Sequence, residues 1–255
     1  MISDEDVKQL FLNGRNFLVN NNSGDALLTQ FYRGAIPDNW ENQPKGACNR
    51  HMALFNKFAI IPKYCFSCYK VIIEPRTVLE LFKLMMVFEK HQMPNDNTRK
   101  CLVEGRPRIA GTYKGIIYCR SKEEGEEISR MMRRILPEEI SSMIPVVLKR
   151  GCSEYAQAFP EYAKIDQEAK LMEYKNEWIQ IEDLADKNAL VNRVPRAHDT
   201  HNRDSYTRED YRVMVAWLKY AATIGDKSYL SISGVAMQPF QGLKRPTQFR
   251  AVGDD

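Results

Sequence analysis

Between Tyr69 and Glu74, Tyr69, Val71 and Ile73 alternate with Lys70, Ile72 and Glu74, the period of two that predicts a two-faced strand. Pro75 closes it, and Val78, Leu81, Phe82, Met85 and Phe88 recur at the spacing of an amphipathic helix. After the loop MPNDNT come a short strand, KCLVE, a loop, GRPRIAG, and a longer strand, TYKGIIYCR. Ser121 and Glu124 form a capping box that opens a helix with Ile128, Met131, Met132 and Ile135 on its apolar face. Acidic residues in its first turn and Arg130, Arg133 and Arg134 later in the helix suit the helix dipole. IPVVLKRG then predicts a last strand.

The resulting order is β-α-β-β-α-β, which predicts an α+β protein built on a ferredoxin-like, split βαβ antiparallel sheet. Residues 63–155 form this core. Residues 1–62 are expected as a helical flank and loop, and 156–255 as a helical region ending in an extended basic tail. Ser3 and Asp6 suggest a cap for a first helix carrying Val7, Leu10, Phe11, Phe17 and Leu18. The pattern predicts a second helix over Ala26 to Arg33 and a loop from Gly34 to Gly46. Leu171, Tyr174, Trp178 and Ile181 predict another helix, and Thr207 with Asp210 caps one carrying Tyr211, Met214, Trp217, Leu218 and Ala221.

Hydrophobic residues make up 44% of the 255 and charged residues 27%, which fits a globular chain with its own core. No apolar run reaches the ~18 residues that cross a bilayer. The acidic start, MISDED, lacks the order of a signal peptide, so a cytoplasmic location with no membrane partner is expected. In that compartment six cysteines are thiols or ligands before they are disulfides.

The cysteines follow from the predicted topology. Cys65, Cys68, which starts the first strand, Cys101, Cys119 and Cys152 all fall at one end of the sheet. Cys48 and His51 form a Cys-x-x-His upstream of the Cys-x-x-Cys, so Cys48, His51, Cys65 and Cys68 make two short-spaced pairs suited to zinc. Cys65, Cys68, Cys101 and Cys119 are the alternative set, for an iron–sulfur cluster or thiol chemistry. Strand alternation turns Cys101 and Cys119 toward the helices, where a buried thiol is core filler. His198-x-x-His201, with Asp199 and Asp204, is a polar loop with the composition of a weak cation site.

The opposite face collects Lys70, Lys114, Tyr118, Arg120 and Lys149, with Phe66 near its end. Basic and aromatic residues on central strands stack bases and neutralise phosphates, as in an RNA-recognition motif. KGIIYCRS resembles the third-strand signature of that family at Lys114, Gly115 and Tyr118 and departs from it at Ile116 and Ser121. The expected function is a non-catalytic module binding single-stranded nucleic acid, a nucleotide or another phosphorylated ligand. The rival is an enzyme or redox protein working from the cysteine-rich edge. The tail MQPFQGLKRPTQFR suits docking on a protein partner. The chain has no Gly-rich phosphate loop, serine elbow or His-Glu-x-x-His. In RGCSEY, Cys152 is a candidate nucleophile between Arg150 and Glu154 if His51 or His91 approaches it as a base.

Overall fold

A computed structural model describes residues 1–15, 30–34, 48–104, 110–166, 170–187 and 205–240. Its centre is a five-stranded antiparallel sheet of β1 (Gln30–Arg33), β2 (Tyr69–Ile73), β3 (Arg99–Val103), β4 (Tyr113–Cys119) and β5 (Val146–Arg150). The strand order is β1-β3-β4-β2-β5. Eight α-helices accompany it among the described residues: α1 (Asp4–Arg15), α2 (Cys48–Phe58), α3 (Val78–Lys90), α4 (Lys122–Glu139), α5 (Ser153–Ala158), α6 (Glu177–Lys187), α7 (Arg208–Ile224) and α8 (Tyr229–Ser233). None is long and apolar enough to cross a membrane.

Helices α3 and α4 pack on one face of the sheet, and α1, α7 and α8 pack around α3. Alternation sends Val71, Ile73, Cys101, Val103 and Ile117 to this face, where they meet Leu81, Met85, Phe88, Ile128 and Met132. Gly115 allows the close approach of α3, since a Cβ there would stand 2.4 Å from Leu84 Cδ2. On α4 the inward residues are Ile128, Ser129, Met132 and Leu136, while Met131 and Ile135 are only half-buried. This core draws on both flanks of the chain, from Ile2 to Ile232.

Side-chain caps fix the helix starts. Asp6 N donates to Ser3 Oγ (3.1 Å), and Thr207 and Asp210 form a full capping box on α7. Asp226, after α7, accepts from Val78 N at 2.7 Å and from the Tyr113 hydroxyl at 2.7 Å, which ties the C-terminal helices to α3 and β4.

Two expectations are corrected. Gln30–Arg33 is a strand and not the end of a helix, because β3 offers an unpaired edge and Phe31, opposite Cys101, is fully buried there. Leu171 and Tyr174 precede α6 and are not part of it. In that segment Arg150 donates to the Met172 carbonyl at 3.0 Å and Tyr174 to Glu182 at 2.8 Å, so long-range partners replace the helical ladder. Phe17, Leu18, most of the 34–46 loop, His198, Asp199, His201, Asp204 and the tail beyond residue 240 lie outside the described residues.

Candidate functional site

A second apolar cluster forms at one end of the sheet from α2, α5, α6 and the 3-10 turns Lys63–Ser67 and Pro160–Ala163. Its members include Leu54, Ile61, Cys65, Tyr155, Tyr162 and Trp178. Arg150 fastens it to the sheet by donating from Nε (3.0 Å) and Nη2 (2.9 Å) to the Phe66 carbonyl while stacking on the Phe66 and Tyr162 rings. The Tyr162 hydroxyl donates to the Cys65 carbonyl at 2.6 Å. The Cys-x-x-Cys is therefore the hinge between the turn and β2, held at both the turn and the strand.

Between this cluster and the sheet lies a cavity of about 210 Å³. Its walls carry Cys48 and His51 from α2, Tyr64, Cys65 and Cys68 from the turn, Lys70 from β2, Tyr118 and Cys119 from β4, and Cys152 and Tyr155 at α5. Ser67, Asn95, Asp96, Asn97, Thr98, Arg120 and Gly151 complete it. Asn97 Nδ2 is committed to the Tyr118 carbonyl (2.9 Å) and Glu124 (2.7 Å), which fixes the 95–98 loop against β4.

Lys70 is the central charge. It pairs across the sheet with Tyr118 on one side and Lys149 on the other. Its Nζ lies 3.2 Å from Cys152 Sγ and 5.4 Å from the centre of the Tyr118 ring, and it is 8% exposed. No carboxylate among the described residues pairs with it. Burial opposes its charge, but the surrounding groups, Cys152 first, hold its pKa well above the ordinary lysine value. The cross-strand neighbour behaves oppositely. Burial, then repulsion from Lys70, pulls Lys149 down to about 8, and its Nζ donates to Ser153 Oγ at 2.6 Å.

The thiols differ in surroundings. Burial pushes Cys65 far up, and its thiol donates to Tyr155 Oη at 3.7 Å. Burial likewise raises Cys68 and Cys119 to about 12. Cys101 lies under the helices, paired with Gly115, four residues along β4 from Cys119. That separation is roughly 13 Å, so the set Cys65, Cys68, Cys101 and Cys119 is not brought together. Cys48, His51, Cys65 and Cys68 do line one cavity. Among the described residues no group of three or more His, Cys, Asp or Glu side chains is placed to hold a metal ion.

Of the five predicted phosphate-contacting residues, Lys70, Tyr118 and Arg120 line the cavity. Lys114, 7% exposed, sits four residues from Tyr118 on β4, and Lys149 flanks the site from β5. His51 reaches the cavity stacked on Tyr64, with ring centres 5.4 Å apart, whereas His91 pairs with Glu139 elsewhere. Lys70 meets Cys152. The signal was present, since β2 and β5 pair and Lys70 shares its strand face with Cys68.

Gly151 sets the entry to Cys152. Its φ is +55°, and a Cβ would stand 2.1 Å from the Tyr162 hydroxyl oxygen. Gly151→Ala should cost at least about 2 kcal/mol in urea unfolding, from backbone strain plus overpacking. Cys152 should also lose its contact with Lys70. A variant as stable as wild type would mean that this turn is not as described. Comparisons of the chain with protein-family models, with curated proteins and with solved structures return no significant match.

Proposed function

We propose that the protein binds a small phosphorylated molecule in this cavity, with Lys70 as the primary charge and Tyr118 and Arg120 beside it. The observation that carries this reading is Lys70: a buried ammonium on the cavity wall whose near neighbours among the described residues are a thiol and a ring face rather than a carboxylate. An anionic ligand would give this ammonium a full opposite charge and a charge-assisted hydrogen bond. A nucleotide is favoured over a nucleic acid strand. Phosphate backbones are held by surface cations that exchange with salt, and Lys70 and Lys114 are 8% and 7% exposed. The stacked His51 and Tyr64 rings give the cavity an aromatic wall suited to a base. For the scaffold we propose the ferredoxin-like βαββαβ unit over β2 to β5, α3 and α4, with β1 added at its β3 edge; the strand order supports it.

Titration calorimetry with inorganic phosphate and a nucleoside monophosphate tests the reading. Binding should weaken as pH rises through about 8, where Lys149 gives up its proton. A phosphomonoester is already a dianion there, its second pKa being about 6, so the loss belongs to the protein. Stability should move the other way. The folded pKa of Lys149, about 8, lies below its ordinary 10.5, so the unfolded chain binds more protons in that window and stability rises across it. No heat of binding for either probe, or bound zinc or iron released only with the loss of Cys48, Cys65 and Cys68, would give the cavity to a different occupant.

A further inference from the structure

We propose that Cys152 is a thiolate nucleophile paired with Lys70, and that it takes the electrophilic carbon of a small anionic molecule bound in the cavity into a covalent bond. The substrate class rests on the ligand reading above; the nucleophile does not.

Cys152 is set apart from the other thiols by one contact. Its Sγ lies 3.2 Å from Lys70 Nζ, at the wall of a cavity and only half-buried. A cation at that distance favours the thiolate, the reactive form. Cys65, Cys101 and Cys119 are buried, and Cys65 and Cys119 point their thiols at Tyr155 and the Ile117 carbonyl. Among the described residues no carboxylate pairs with this cation, so its charge faces the sulfur and an arriving anion. Arg120 lines the same cavity and adds a second positive group. The backbone makes the arrangement specific. Gly151, at φ +55°, donates its N–H to the Cys68 carbonyl at 2.8 Å, which delivers residue 152 to the end of β2 where Lys70 stands.

The step balances simply. Forming the pair releases the thiol proton to solvent, and Lys70 keeps its own. The thiolate lone pair forms the S–C bond, the bond from that carbon to its leaving group breaks, and the leaving group departs with that electron pair. Lys70 then faces the anionic group of the bound molecule instead of the thiolate.

Iodoacetate and iodoacetamide are the probes, an anionic and a neutral electrophile that both lose iodide. Site-resolved alkylation of the full chain by peptide mass mapping, from pH 6 to 9.5, gives the rate at each cysteine. Cys152 should react first of the six cysteines. At pH 7, Lys70→Met should slow that reaction about tenfold or more, and Lys70→Arg should keep most of it. The preference for iodoacetate over iodoacetamide should exceed that of free cysteine several-fold and vanish in Lys70→Met. A wild-type Cys152 alkylated no faster than the other cysteines overturns the nucleophile, whether or not the variants fold. Fast reaction at Cys152 without preference for the anion overturns the substrate class and counts against the ligand reading. Phosphate binding with an unreactive Cys152 overturns only the nucleophile.

Discussion

Asp210→Ala should lower folding stability by about 3–5 kcal/mol, the range for breaking a buried ion pair from one side. Arg33, on β1, donates to Asp210 through Nη1 (3.3 Å) and Nη2 (3.1 Å), pairs with Glu89 and lies 4.1 Å over the Phe31 ring. Arg33 is 2% exposed and Asp210 is fully buried, so water cannot replace the lost carboxylate. Glu89 remains, but burial already pushes its pKa up despite Arg33, so it compensates Arg33 only in part. The substitution also removes the carboxylate that accepts from Thr207 N at 2.7 Å, and the α7 capping box with it. Urea unfolding reads the sum, and Asp210→Asn, which keeps the shape and loses the charge, should fall between. A loss under about 1 kcal/mol for the alanine variant would mean that β1 and α7 are not joined through this pair.

The elements from Tyr69 to Arg150 are legible in the sequence because local and long-range forces agree there. Val71 and Ile73 on one face, Lys70 on the other, and Ser121 before Glu124 each need only near neighbours to be read. The misread elements are those whose partners are remote. Gln30–Arg33 has no strand pattern of its own length, and only the open edge of β3 makes it a strand. Cys48–Phe58 becomes a helix through equally remote partners, its apolar Leu54 and Phe55 packing on the Tyr155 region. The spacing of the cysteines puts Cys101 at the sheet end with the others, but it lies in the middle of β3, opposite Gly115 and away from the end where Cys119 lies. The pairing of Lys70 with Cys152 joins residues 82 apart and depends on the β2–β5 register, which a single sequence specifies only once the sheet is assembled.

Lys70→Met should weaken phosphate and nucleotide binding by about 2–5 kcal/mol, the cost of deleting one charge from a buried charge pair. That is roughly thirtyfold to several thousandfold in Kd. The same change should move folding stability by less than about 1 kcal/mol in either direction. Methionine is unbranched like the lysine stem and fills the same space beside the Tyr118 ring. It needs no counter-ion, and it ends the repulsion between Lys70 and Lys149 across β2 and β5. Cys152 is not orphaned either, because a thiol without a cation nearby protonates and becomes a small apolar group. Calorimetry with the two phosphate probes and urea unfolding of one preparation separate a functional lysine from a structural one. A lysine kept for its ligand loses binding on substitution and leaves the fold nearly as stable. Unchanged affinity would remove Lys70 from the site, and a stability loss above about 2 kcal/mol would make its contacts with Cys152 and Tyr118 part of the core instead.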